Sequence, residues 1–223
     1  MPADIVYSIL GAPDFDETAE LLTEEFCRHD PVEIALHITP AEFRVMLELE
    51  LVPLVRNGLC VVARETASGR LVGAMLAMDA LAEPVDGQGR VSEKFAPISD
   101  IARHFHDGYL RNRDIQPGSC LYLFMIGVRS GMTGNGLGKT LFREVLQNAK
   151  NRGYRSSFAI TTNLASTRAL ESHGFRILEM LDYPTYRYQG RPVFASISAH
   201  PGIALMELES LTDTPVKKAD KAS

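Results

Sequence analysis

An unbroken apolar run, Leu121-Tyr122-Leu123-Phe124-Met125-Ile126-Gly127-Val128, is followed within a few residues by glycines at alternate positions, Gly134, Gly136 and Gly138. Beyond them no Gly or Pro occurs until Gly153. The run has the length and the aromatic and β-branched content of a buried strand. Leu137, Leu141, Val145 and Ala149 recur at four-residue steps and make one apolar face of a helix, which Gly153 would stop with a left-handed cap. The segment therefore reads strand, glycine-rich turn, helix. Such a turn lets backbone N–H groups converge at a helix N-terminus, where the dipole also favours negative charge. It is a device for holding phosphate.

Three phosphate loops compete for this stretch. A P-loop fits Gly138-Lys139-Thr140 but puts Thr133 where its first glycine belongs. A dinucleotide fingerprint fits Gly134 and Gly136 but ends on Lys139. The third pattern, Q/R-x-x-G-x-G/A, is met by Thr133-Gly134-Asn135-Gly136-Leu137-Gly138 at every position but the first. Chain position arbitrates. The loop lies past the midpoint, and the next strand candidate ends in Ile160-Thr161-Thr162 without the carboxylate a P-loop needs for magnesium. In this third pattern the segment resembles the pyrophosphate loop of the GNAT superfamily of acyl-CoA N-acyltransferases. Downstream, Asn163 caps a helix from Leu164 to His173, with Gly174 as its stop. The order Asn163, Ala165, Ala169, Leu170, Gly174-Phe175 resembles the second GNAT signature, so the likeness spans roughly Leu121 to Leu181.

The resemblance implies an α/β fold: a GNAT-like mixed, mostly antiparallel central sheet, splayed at the acyl-CoA site and flanked by helices. It also implies acetyl-CoA as cosubstrate, held at Ile126, Gly127, Val128, Thr133, Gly134, Asn135, Gly136, Leu137, Gly138, Lys139 and Asn163. In the flanks, Phe26-Cys27-Arg28-His29-Asp30-Pro31-Val32 and Tyr188 to Phe194 resemble the arylalkylamine N-acetyltransferase branch. That likeness makes Asp30 the base candidate, with an Asp-Pro turn initiator as the alternative. Glu25 stands in reserve or is a solvated helix residue. Many relatives carry a tyrosine acid four residues before Gly-Phe, where this chain has Leu170. Ser166, one turn earlier, is the substitute, or it is a first-turn helix cap. The chemistery such an enzyme needs is plain: an ammonium must lose a proton before its nitrogen attacks a thioester, and the developing oxyanion needs an N–H, assigned by the resemblance to backbone near Gly127 and Val128. Gly127 itself suggests a bulge or splay, or a packing glycine.

Composition sets the outer limits. The chain has 223 residues, 45% of them hydrophobic, and a net charge of −5, which argues against nucleic acid and suits a cationic amine. Cys27, Cys60 and Cys120 show no paired or metal-like spacing, so free thiols in a reducing, cytoplasmic compartment are expected. His104 and His106 lack further ligands at suitable spacing, so no metal site is expected. No apolar run approaches membrane-spanning length, and the first residues lack the basic region of a signal peptide. One domain over 1–211, a frayed tail at 212–223 and room for a homodimer complete the outline.

Several elements are expected on pattern. Ile5 to Leu10 is a first strand. Asp14 and Glu17 form a capping box for a helix to about Phe26, and Thr39-Pro40-Ala41-Glu42 starts another that Pro53 bends or ends. Leu59 to Glu65 and Arg70 to Asp79 flank a hairpin turn, Leu81 to Gln116 is an insertion, and Tyr183 to Ile197 and Ile203 to Leu211 are closing strands. Tyr183, Tyr186 and Tyr188 line an aromatic pocket or are strand packing; Lys139 and Arg168 meet coenzyme phosphates or are solvated. The functional readings are a small-amine acetyltransferase working by direct attack in a ternary complex, a protein or peptide acetyltransferase, and a non-catalytic acyl-CoA-binding module.

Overall fold

The structure, a computed structural model, describes residues 4–85, 87, 89–111, 113–132 and 134–211. The tail expected at 212–223 lies outside them. In chain order the elements are β1 (Ile5–Ile9), α1 (Phe15–His29), α2 (Pro31–Ala35), α3 (Pro40–Asn57), β2 (Val61–Glu65), β3 (Leu71–Asp79) and α4 (Ala96–Leu110). Then follow β4 (Cys120–Val128), α5 (Leu137–Asn151), β5 (Ser156–Thr161), α6 (Leu164–Glu171), β6 (Arg176–Asp182) and β7 (Gly202–Leu208). The strands form one sheet in the order β1-β2-β3-β4-β5-β7-β6. Its pairings are antiparallel apart from β4 with β5, where α5 makes the crossover that parallel neighbours require. This is the mixed, mostly antiparallel sheet expected.

Strand alternation sorts the core onto two faces. Ala204 and Met206 of β7 join Leu141, Val145 and Ala149 of α5 and Leu170 of α6 on one face. Ile203 and Leu205 point the other way, into a cluster with Phe105 of α4, Tyr183 and Phe194. A further cluster on that second face packs Leu21 and Leu22 of α1 and Leu47 and Leu51 of α3 against Val62 and Ala74. The α1–α2 corner sits where these two clusters meet: Phe26 and Cys27 pack on the α1–α3 cluster, while Val32 is buried in the α4 cluster.

Local expectations fare unevenly. The Thr39 capping box forms as read, with Glu42 N–H donating to Thr39 Oγ1 and Thr39 N–H to Glu42 Oε2. Helix α3 nevertheless runs through Pro53 to Asn57, held by buried Leu51 and Leu54. Asp14 and Glu17 do not form a capping box. Asp14 accepts from Gly11 N–H and, with Glu17, takes the Arg64 guanidinium of β2 at 2.8 Å each. Helix α1 continues past Phe26 to His29. Residues 183–197 are not a strand. Pro184, Gly190 and Pro192 interrupt any ladder, and the segment folds its rings, Tyr183 and Phe194, into the α4 cluster. The strand expected at Ile203 to Leu211 forms as β7, and its partner is β6 rather than residues 183–197.

Candidate functional site

Strand β4 pairs with β3 along its length, but with β5 only from Cys120 opposite Ser156 to Leu123 opposite Ala159. From Phe124 to Val128 the β5 side of β4 has no ladder partner, so its backbone N–H and C=O groups there are open to an extended amide-bearing ligand. The register slips once against β3, between Leu76 and Ala77, which leaves Phe124 as the extra residue of a bulge. Gly127 is therefore not the bulge. It pairs regularly with Ala74, and a Cβ added there would lie 2.6 Å from Leu22 Cδ2, so its missing side chain is where α1 presses on the sheet. Ile126 and Val128 flank it in the open half of the strand.

The glycine loop delivers the chain from Val128 into α5. Gly134 and Gly136 are left-handed, with φ of 84° and 76°, a conformation that carries a steric cost for residues with a Cβ. Gly136 is the N-cap of α5, and neither a side-chain cap nor an acidic residue occupies the first turn. Among the described residues, the leading N–H groups of Leu137, Gly138 and Lys139 thus meet no anion, as an anion-binding helix terminus requires. Asn135 is exposed in the turn, and Leu137 is buried under the loop. A Cβ on Gly138 would reach Ile126 Cδ1 and Val128 Cγ2 at 3.9 and 3.8 Å. The fold could hold that methyl group; the space it would fill lies over the open half of β4. Thr133 falls outside the described residues. Lys139 and Arg168 are exposed and make no ion pair among the described residues. An uncapped helix end, left-handed glycines and an open strand edge together fit a pyrophosphate followed by a pantetheine chain.

A second cluster of polar contacts is built at the far end of β5. Asp30 stands between α1 and α2 and is 6% exposed. Its Oδ1 accepts from Val32 N–H at 3.0 Å, which makes it the α2 cap. Its Oδ2 accepts from the Thr162 hydroxyl at 2.5 Å, across the gap at the β5 terminus. The base candidate and the turn-initiator alternative therefore describe one side chain. Tyr183, fully buried, donates to Thr162 C=O at 2.5 Å, and burial above all, with the charges of Asp30 and Glu33, pushes its phenol up so that it stays a donor. Tyr183 meets Phe194 edge-on and Phe194 stacks on Tyr186, which continues the wall outward toward α4.

The other candidates take structural contacts. Asn163 Oδ1 caps α6 by accepting Ser166 N–H, and the Ser166 hydroxyl turns back to Asn163 C=O at 3.0 Å. Leu170 is buried in the core and offers no donor. Glu25 is neither solvated nor near Asp30 in its contacts: it accepts Ser130 N–H and hydroxyl, pinning the end of α1 to the loop after β4. Thr162 and Glu33 escaped the sequence reading. Thr162 gave no signal beyond ending a strand. For Glu33 there was one, since Asp30-Pro31-Val32-Glu33 has capping-box spacing.

The sequence profile of the acetyltransferase (GNAT) family matches residues 32–175, from just after Asp30 through the second helix signature. In fold the chain is similar to the C-terminal condensation domain of Ebony in complex with β-alanyl-dopamine, with a TM-score of 0.82 at 17% identity over 93% of this chain and 99% of that one. It is also similar to arylalkylamine N-acetyltransferase 2 from Aedes aegypti, with a TM-score of 0.78 at 18% identity over 92% and 99%. A third similar structure is the Drosophila melanogaster polyamine N-acetyltransferase that catalyses formation of N-acetylagmatine, with a TM-score of 0.75 at 21% identity over 92% and 100%. At these identities the likeness is one of fold.

Proposed function

Because the chain belongs to the GNAT acetyltransferase family and is an acetyl-CoA-using N-acetyltransferase, we propose that its acceptor is a small primary amine of arylalkylamine type. The observation that carries this reading is the position of Asp30: a buried carboxylate bonded to Thr162 at the mouth of the gap between β4 and β5. Among the described residues, neither ion pairs nor hydrogen bonds bring a Lys, Arg or His to it. A buried carboxylate without a protein countercharge favours a bound ammonium. Tyr186, half-buried and stacked on the buried Phe194, offers apolar surface for an aryl tail, worth about 25 cal/mol per Å² removed from water.

The chemistry proposed is direct attack in a ternary complex. Acetyl-CoA supplies an activated thioester. The α5 N-terminus and the glycine loop, Gly134 to Lys139, would hold its pyrophosphate, and Ile126, Gly127 and Val128 its pantetheine arm, with Asn163 shaping the facing turn. Asp30 takes the proton from the ammonium, directly or through one water, and the freed nitrogen forms the new C–N bond as the C–S bond breaks. A backbone N–H near Gly127 and Val128 stabilises the oxyanion. With Leu170 in the core and the Ser166 hydroxyl held by Asn163, the electron pair leaves on sulfur without a side-chain acid committed to it. The free thiols of Cys27, Cys60 and Cys120 suit a reducing, cytoplasmic setting. Among the described residues no helix is long and apolar enough to cross a membrane. Thiol release from acetyl-CoA with phenethylamine or tryptamine, and the mass of the N-acetylated product, test the proposal. A chain that binds acetyl-CoA yet acetylates no amine would leave only the coenzyme-binding reading.

A further inference from the structure

Beside Asp30 lies a second carboxyl that the reaction above does not use. Glu33 is 6% exposed, and no N–H or O–H of the described residues reaches its Oε2. Its place in the fold explains why. At capping-box spacing, a Glu in the third helical position should accept the N–H of the capping residue. Here α1 runs into α2 without a linker, so Asp30 N–H is already given to Phe26 C=O as the last bond of α1. Without that donor, the Glu33 carboxyl stays buried one helical turn from the Asp30 carboxyl, whose charge acts on it. Two carboxyl groups can share a hydrogen bond only if one of them carries a proton.

We infer that Glu33 and Asp30 form a pair sharing one proton, in which protonated Glu33 donates to Asp30 and fixes the direction of the Asp30 carboxylate toward the acceptor amine. Glu33 is on this reading a positioning residue that acts through Asp30, and the inference rests on the acceptor assignment above. The neighbours agree. Cys27 of α1, Tyr183 of the β6–β7 loop and, beyond Cys27, Glu42 of α3 lie around the pair, and these are all acidic or neutral groups. Burial first, then the Asp30 charge, pushes the Glu33 carboxyl well above its ordinary value of 4.5. Asp30 meanwhile receives Val32 N–H and the Thr162 hydroxyl, and in the pair it would receive the Glu33 proton as well. The pair then carries a single negative charge, which matches one ammonium.

Thermal melts of the full chain test this. A carboxyl raised above its unfolded value contributes stability at pH below that value and loses it as pH climbs through the folded one. Gln keeps a donor toward Asp30 and has no proton to lose. Glu33→Gln should therefore match the wild type at about pH 4 and gain on it between about pH 5 and pH 8, by roughly 2–4 °C or more. The gain should shrink in an Asp30→Asn background, where the anionic partner is gone. A gain equal at both ends of the range, a loss that grows with pH, or a gain indifferent to Asp30→Asn would overturn the pair. Turnover adds a second arm. Glu33→Ala should lower kcat/KM for phenethylamine roughly ten- to a hundredfold, with Glu33→Gln restoring most of it and acetyl-CoA binding unchanged in both. Equal impairment of Gln and Ala at intact coenzyme binding would refute the positioning role. Were the wild type to acetylate no amine, the acceptor assignment would fall, while the melts would still decide whether the carboxyls share a proton.

Discussion

The Thr162 hydroxyl donates to Asp30 Oδ2 across 2.5 Å, joining residues 132 positions apart and closing the α1–α2 corner onto the end of β5. Neither residue is placed by its own element alone. Asp30 caps a five-residue helix, and Thr162 follows the last residue of a strand whose partner β4 has already turned away. Thr162→Val removes the donor and keeps the shape. A hydrogen bond to a charged group contributes about 1.5–3 kcal/mol, so the melting temperature should fall several degrees. Turnover should fall about tenfold while the acetyl-CoA-induced shift persists. An unchanged rate would show that the contact only braces the corner.

Asp30→Asn should reduce kcat/KM by roughly 10²–10⁴-fold, the range of a lost general base. Asn caps helices as well as Asp does, so the fold and the coenzyme affinity should survive. Steady-state kinetics alongside acetyl-CoA titration separate the two roles: collapse of folding or of coenzyme binding would reduce Asp30 to a structural cap.

The loop glycines should divide by mechanism. Gly136 sits at φ 76°, so Gly136→Ala should cost about 1 kcal/mol with or without ligand. A Cβ on Gly138 meets only ordinary contacts with Ile126 and Val128, so Gly138→Ala should leave the free protein's melting temperature alone and weaken the acetyl-CoA shift. Gly136→Asp and Gly138→Asp, which add a carboxylate at the helix N-terminus, should abolish that shift. A shift restored by ATP and magnesium instead of acetyl-CoA would reverse the choice between phosphate loops.

Ser166→Ala tests the missing acid. Its hydroxyl is held by Asn163 C=O in the first turn of α6, so the substitution should lower stability by about 1 kcal/mol and kcat by no more than a few-fold. A fall in kcat of about a hundredfold with normal melting would restore Ser166 as donor to the leaving sulfur.

What was legible in the chain was local. The β4 run, the glycine turn and α5 declare themselves within thirty residues, because strand content, left-handed glycines and a four-residue apolar step are short-range signals. The Thr39 capping box and the β2–β3 hairpin are of the same kind. Asp14 and Glu17 misled because their partner, Arg64, lies about fifty residues away, and a guanidinium paired to both outcompetes a helix cap. Residues 183–197 carry strand-like aromatics, but those rings are wanted in the α4 cluster, and three Gly and Pro residues forbid the ladder. At the site, the Asp-Pro pair makes the Asp30 cap of α2 legible in the chain. Glu33 was hidden, since its spacing promises an ordinary cap and only the direct abutment of α1 on α2 removes the donor it would have used.

The central claim is most directly tested by following thiol release from acetyl-CoA on one panel at matched concentration: phenethylamine and tryptamine, short alkylamines, polyamines and N-terminal peptides. Burial of an aryl tail against Tyr186 should favour the arylalkylamines over short alkylamines by tenfold or more, since about 1.4 kcal/mol separates each factor of ten. Turnover confined to peptides or to polycations would contradict the small arylalkylamine acceptor and leave the family assignment standing.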